Sequence, residues 1–221
     1  MNNRPPIIEL VGPPGAGKST LAELLLWRNG DMRAQTFPDF RKLQDDPFFA
    51  RNTLALAPTF LQLGSNLKDK RLTRRDAALM TVLNGWHREL EQLAVSYGMT
   101  IVLDEGPICL LSKLHGFGSE SLRGEDAKIW WGKTYQRWAE TLDLIIQLEA
   151  SAATLLQRIR SRGRQYEIGK MTDEEAMKYL ASICVAQGQV LSALAAIPGA
   201  PQIIRFNTED HTPDQIACLI R

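Results

Sequence analysis

The sequence predicts a three-layer α/β/α fold around a five-stranded parallel sheet with helical insertions, and three observations carry that expectation. Apolar runs of strand length alternate with helical patterns along the 221 residues, as in parallel sheets covered on both faces. The first run, Ile7-Ile8-Glu9-Leu10-Val11, passes through a glycine-rich turn straight into a helix-forming stretch, Leu21 to Trp27. No repeat, low-complexity tract or linker divides the chain, so one domain over residues 1–221 is expected.

Taken in order, strands are expected at Pro6–Val11, Ala34–Phe37, Thr100–Leu103, Leu142–Leu148 and Gln202–Phe206. Two mostly helical insertions, at about 40–97 and 108–140, follow strands two and three. They should overhang the carboxyl ends of the strands, where open α/β sheets bind ligands. Gly163 sits where the helix from about Ala152 should end, as a left-handed cap. Thr172-Asp173-Glu174-Glu175 reads as a capping box opening a helix towards Ala196. Thr212-Pro213-Asp214-Gln215 reads as a second, with proline at the first helical position.

Composition narrows the setting. Hydrophobic content of 44% and charged content of 23% are ordinary for a soluble globular protein. A formal net charge of +1 gives no support for a nucleic-acid or anionic-membrane partner. The uncharged segment from Ala181 to Ile204 is interrupted by Gln187, Gly188, Gln189, Pro198 and Pro201. It reads as a core helix and turn rather than a membrane span. Cys109, Cys184 and Cys218 are odd in number and far apart, so reduced, mostly buried thiols in a cytoplasmic protein are expected. The residues ahead of the first strand show no secretory-signal pattern, so no such signal is expected.

Gly12-Pro13-Pro14-Gly15-Ala16-Gly17-Lys18-Ser19-Thr20 fits G-x-x-x-x-G-K-[ST] in full, between a buried strand and a helix N-terminus. The turn's N–H groups and the helix dipole cradle phosphate, Lys18 supplies a charge for the outer phosphates, and the Ser19 hydroxyl suits Mg²⁺. Asp104 ends the third strand, where an acid binds Mg²⁺ through water or takes a proton from the attacking group. Asp104 is the first choice for these roles and Glu105 the alternative. Arg158 and Arg162 share one helix face, and Arg164 follows Gly163. A lid over about 158–170 could carry all three arginines onto a transferring phosphoryl group. Trp86, with Arg88 close by, and Trp130, Trp131 and Trp138 fall in the insertions, where rings could wall an acceptor site or pack a core. His87 and His115 lack partners at metal-ligand spacing.

Loop, acid, arginine lid and final strand-plus-helix together resemble the P-loop nucleoside and nucleotide kinases, including thymidylate and deoxynucleoside kinases. The resemblance implies a loop lining the adenine pocket after the last strand, here Asn207-Thr208-Glu209-Asp210, with Asn207 on ATP. It implies a base after strand two, matched in placement by Asp39, with Arg41 as an acceptor contact. Those kinases commonly carry arginine right after the strand-three acid, whereas this chain has Glu105-Gly106.

The expected function is an ATP- and Mg²⁺-dependent kinase acting on a hydroxyl or phosphate acceptor, with a nucleoside or nucleotide foremost. Its partners would be ATP and that small acceptor, and a homodimer is allowed. A regulatory NTPase is the alternative, although neither Asn-Lys-x-Asp nor Leu-Ser-Gly-Gly-Gln occurs. A sulfotransferase-like enzyme ranks lower, because Lys18-Ser19 with Asp104 suits a magnesium triphosphate.

Overall fold

Ile7 and Val11 face one side of the sheet, Ile8 and Leu10 the other, and helices bury both sides. A computed structural model of the chain describes residues 4–36, 47–65, 72–162 and 167–220. Its strands are β1 (Ile7–Val11), β2 (Met32–Thr36), β3 (Thr100–Asp104), β4 (Leu144–Glu149) and β5 (Gln202–Asn207). They form one parallel sheet in the order β2-β3-β1-β4-β5. The central strand is therefore the one that runs into the glycine-rich turn.

On one face, α4 (Arg74–Tyr97), α5 (Pro107–Phe117), α6 (Glu125–Thr141) and the second half of α8 (Asp173–Ala195) cover Ile7, Ile101, Leu103 and Ile145. On the other, α1 (Lys18–Arg28), α7 (Ala152–Ser161), the start of α8 and α9 (Pro213–Leu219) cover Ile8, Leu10, Val102 and Ile146. The first insertion also holds α2 (Pro47–Ala55) and α3 (Ala57–Ser65). These are the three layers that the alternating pattern predicts.

Local chemistry sets the boundaries. Both capping boxes form: Thr172 with Glu175 opens α8, and Thr212 with Gln215 opens α9 behind Pro213. Gly163, the expected cap of α7, lies outside the described residues. The uncharged stretch becomes the end of α8, a turn and β5, and no described helix is long and apolar enough to cross a membrane. Cys109 is half-buried as a free thiol, but Cys184 and Cys218 are exposed, against the expectation of burial. Their helices turn those positions outward.

Gly12 shows how tightly the turn is built. A Cβ there would lie 2.5 Å from the carbonyl oxygen of Leu148 on the neighbouring strand. Gly12→Ala is thus expected to cost about 2 kcal/mol or more by urea denaturation. Unchanged stability would mean that the β1–β4 spacing yields easily.

Candidate active site

Residues 12–20 follow the carboxyl end of β1 and lead into α1, the strand–turn–helix arrangement that suits an anion at a helix N-terminus. Gly15 and Gly17 have φ of 86° and 95°, the left-handed region that a glycine enters at little cost. Lys18 Nζ donates to the carbonyls of Gly12 (2.9 Å) and Pro13 (3.3 Å), which holds the ammonium over the loop. Pro14, Ala16, Ser19 and Thr20 complete the turn and first helical residues.

Asp104 sits on the adjacent strand in register with Leu10, and its Oδ1 is buried with no hydrogen-bond partner. An orphaned carboxylate oxygen beside a phosphate cradle suits water-mediated Mg²⁺ binding, with Ser19 as the partner from the loop. Among the described residues no group of three His, Cys, Asp or Glu side chains gathers as a metal cage.

Two cavities flank the loop. One, of about 220 Å³, lies between the turn, α7 and the loop after β5, and includes Gly15, Thr20, Arg158, Arg162, Thr208 and His211. Arg158 donates to Thr208 Oγ1 (2.8 Å) and Thr208 O (2.9 Å), tying α7 to the β5–α9 loop. Glu209 reinforces that tie by accepting from Ser151 N (3.1 Å), Ser151 Oγ (2.9 Å) and Thr154 Oγ1. Hydrogen bonds from Thr154 and Ser151 hold its carboxyl below the usual range. Asn207 does not line this cavity: its amide bonds Asp210 and accepts from the Glu209 N–H, shaping the loop instead.

The second cavity, about 330 Å³, opens on the other side of the loop between α5 and α8. Lys18, Glu105, Ser112, Phe117, Tyr179 and Gln187 are among its walls. Phe117 and Tyr179 meet with ring centroids 5.6 Å apart, and Gln187 is buried although polar. Of the candidates for the acceptor side, only Glu105 reaches this space; Asp39, Arg41 and the lid's Arg164 lie outside the described residues. Trp86 is instead a core residue, edge-on to Trp138 at 6.1 Å, and Arg88 is exposed on α4. Trp131 stacks on Tyr135 (5.4 Å) beside a separate groove of about 780 Å³. Trp86, Trp130 and Trp138 are buried because they pack a core, the second of the two expected roles, and the rings that line the cavity beside Lys18 are those of Phe117 and Tyr179.

Sequence reading passed over Glu9. It is fully buried on β1 and accepts from the N–H groups of Ile108 (2.9 and 3.0 Å) and Cys109 (3.3 Å) at the start of α5. Burial pushes its carboxyl up to about 8, against the pull of those N–H groups and of Lys18. The signal was an acid in the middle of a wholly apolar strand. His87 is likewise buried, and burial followed by the charges of Arg137 and Arg88 lowers it to about 4.

No family model matches the sequence. The chain is 30% identical over 164 residues to an adenylate kinase of Mycobacterium ulcerans, covering 71% of this chain and 70% of the relative. It is equally similar to an adenylate kinase of Mycobacterium marinum. Among solved structures, deoxyadenosine kinase from M. mycoides with bound dATP has a TM-score of 0.52 at 17% identity, covering 97% of each chain. Thymidylate kinase from Candida albicans has a TM-score of 0.54 at 17% identity, covering 98% of this chain and 89% of the other. At such identities the two structures share the fold.

Proposed function

The chain belongs to the P-loop nucleoside and nucleotide kinases, which are phosphotransferases, and on that premise we propose that it passes the γ-phosphoryl group of ATP to a small acceptor, a nucleoside or nucleotide. The observation that carries this reading is the pair of cavities on either side of one phosphate loop. A kinase needs room for a second organic substrate beside the transferred phosphate, whereas a hydrolase needs room only for water there. A relative named for adenylate, and fold neighbours named for deoxyadenosine and thymidylate, support the acceptor class.

In this reading the base and ribose of ATP occupy the side of Arg158, Thr208 and His211, and the phosphates lie along residues 12–20. Lys18 exchanges its bonds to Gly12 and Pro13 for the β- and γ-phosphates. Ser19 and Asp104 would hold Mg²⁺, which when bound neutralises charge on the β- and γ-oxygens. The acceptor oxygen bonds the γ-phosphorus as the bond to the β–γ bridging oxygen breaks and ADP leaves. The acceptor's proton goes to a carboxylate, for which Asp104, Glu105 and Asp39 are the candidates. Arg162, with Arg164 from the expected lid, neutralises the charge that spreads over the moving group.

Purified protein with Mg²⁺–ATP should release ADP only when a suitable acceptor is added, and a phosphorylated product should accumulate. Hydrolysis stimulated by a protein partner, without such a product, would replace this reading with a regulatory NTPase. Arg162→Ala should lower kcat by about 10- to 100-fold and move KM for ATP by no more than about threefold, since its contact strengthens in the transition state. A silent Arg162→Ala removes the lid from the mechanism.

A further inference from the structure

Glu9 stands between Ile7 and Val11 on the face of β1 that α5 helps to cover, where an aliphatic side chain would complete the core. A carboxyl is costly to bury there and persists only with strong partners. Its partners are the first N–H groups of α5. That helix opens on Gly106, which offers no capping side chain, and on Pro107, which has no N–H to place. The next two donors, Ile108 and Cys109, both bond the Glu9 carboxyl, and the N–H of Leu110 returns to the Gly106 carbonyl. Glu9 therefore takes the place of an N-cap side chain, supplied from another element.

This tie joins the two halves of the site. Beyond Leu10 and Val11, β1 enters the phosphate loop at Gly12, while Asp104 and Glu105 lead directly into Gly106. The contact leaves no slack. A Cβ at Gly106 would fall 2.5 Å from the Glu9 carboxyl carbon and 2.8 Å from each of its oxygens. Gly106 has a φ of −86°, open to any residue, so closeness to Glu9 is what calls for glycine. Glu105 beside it is held at a φ of 66°, and strain of that kind persists only where the surroundings over-determine it. The β1–β3 ladder sets Asp104 beside Leu10, but the turn beyond the ladder needs its own anchor.

We propose that Glu9 is a positioning residue for phosphoryl transfer: by capping α5 from the strand that carries the phosphate loop, it fixes the Asp104–Glu105 turn against that loop. This rests on the kinase reading above and adds to it the residue that keeps the carboxylate side of the site aligned with the phosphate side. Glu9 touches neither substrate and acts only through Gly106 and α5.

The test uses three variants. Glu9→Leu fills the apolar face but accepts no hydrogen bond, Glu9→Gln keeps one acceptor oxygen, and Gly106→Ala pushes the same contact apart from the other side. Leu90→Ala, which empties a fully buried position of the same core on α4, controls for lost stability alone. Each protein receives Mg²⁺–ATP with deoxyadenosine, thymidine, AMP or dTMP at a temperature where circular dichroism shows it folded. Calorimetry reads ATP affinity separately. Glu9→Leu and Gly106→Ala should each lower kcat about 30-fold or more, since a misplacement of about 1 Å is worth about 100-fold. KM and Kd for ATP should stay within about threefold, because the loop and α1 are unaltered. Glu9→Gln should hold kcat within about fivefold of the parent, and Leu90→Ala within about threefold. Should Glu9→Leu not fold, Gly106→Ala reads the same contact. Parental kcat in the folded Glu9→Leu and Gly106→Ala proteins, or a Leu90→Ala protein equally slow, would overturn the positioning role and leave the kinase reading standing. ATP affinity lost in step with kcat would do the same. A parent that phosphorylates none of the four acceptors would sink both.

Discussion

Lys18→Ala is expected to lower kcat by about a thousandfold or more while the melting temperature stays within about 8 °C of the parent. The two halves of this expectation have separate physical causes. For turnover, Lys18 lines the cavity beside the phosphate loop, so in the proposed reaction its ammonium would stand where charge develops between the two substrates. Arg158 is held by Thr208 on the base side, and Lys113 lies against Glu105. Neither can replace a cation on the loop. For stability, the alanine removes two part-buried hydrogen bonds to the carbonyls of Gly12 and Pro13, each worth about 1 kcal/mol net. The turn itself is set by backbone and by glycines at 12, 15 and 17, which the substitution leaves alone. Turnover with the best acceptor and a thermal melt check both halves. A variant retaining a tenth of parental kcat would show that Lys18 is a binding contact only.

The parts of this site that were legible in the sequence are those coded over a short span. Residues 12–20 carry their geometry locally, because glycine spacing, lysine and a following helix former are neighbours in the chain. Asp104 was legible for the same reason, as an acid closing an apolar strand. The fold followed from alternation; β4 begins at Leu144 rather than Leu142, and β2 at Met32 rather than Ala34. Its outer position in the sheet leaves Arg33 and Ala34 exposed, so the apolar signal there is thin. The acceptor side was illegible because it is assembled from α5 and α8, whose wall residues Phe117 and Tyr179 stand far apart in the chain. Helical periodicity cannot say whether a ring on an apolar face meets a core or a cavity. Trp86 and Trp138 met the core, while Phe117 and Tyr179 met each other at the cavity. Arg158 was legible as a basic face, but its bonds to Thr208 depend on pairing β4 with β5.

Glu9→Gln should flatten the pH dependence of stability between about pH 5 and pH 8, which bears on how the two sides of the site are held together. The parent's Glu9 carboxyl is raised in the folded state to about 8 from an ordinary 4.5, with burial the main cause. A group raised on folding contributes stability that is complete below its unfolded value and disappears as pH climbs through its folded value. The parent should thus lose stability, by a few kcal/mol, as pH rises from about 4.5 to about 8. Glutamine does not titrate, so that slope goes. At pH 5 the variant should be less stable than the parent by about 1–2 kcal/mol. Its carbonyl can still accept from Ile108, but its NH₂ faces the N–H groups that the second carboxyl oxygen now serves. Towards pH 8 the order should narrow or reverse. Urea denaturation at pH 5, 6.5 and 8 reads the difference directly. A Glu9→Gln variant with the parent's slope would assign the titration to another group. If the slope vanishes, Glu9 is the titrating group, and the carboxyl that accepts from the start of α5 beneath Gly106 is neutral in the more stable form.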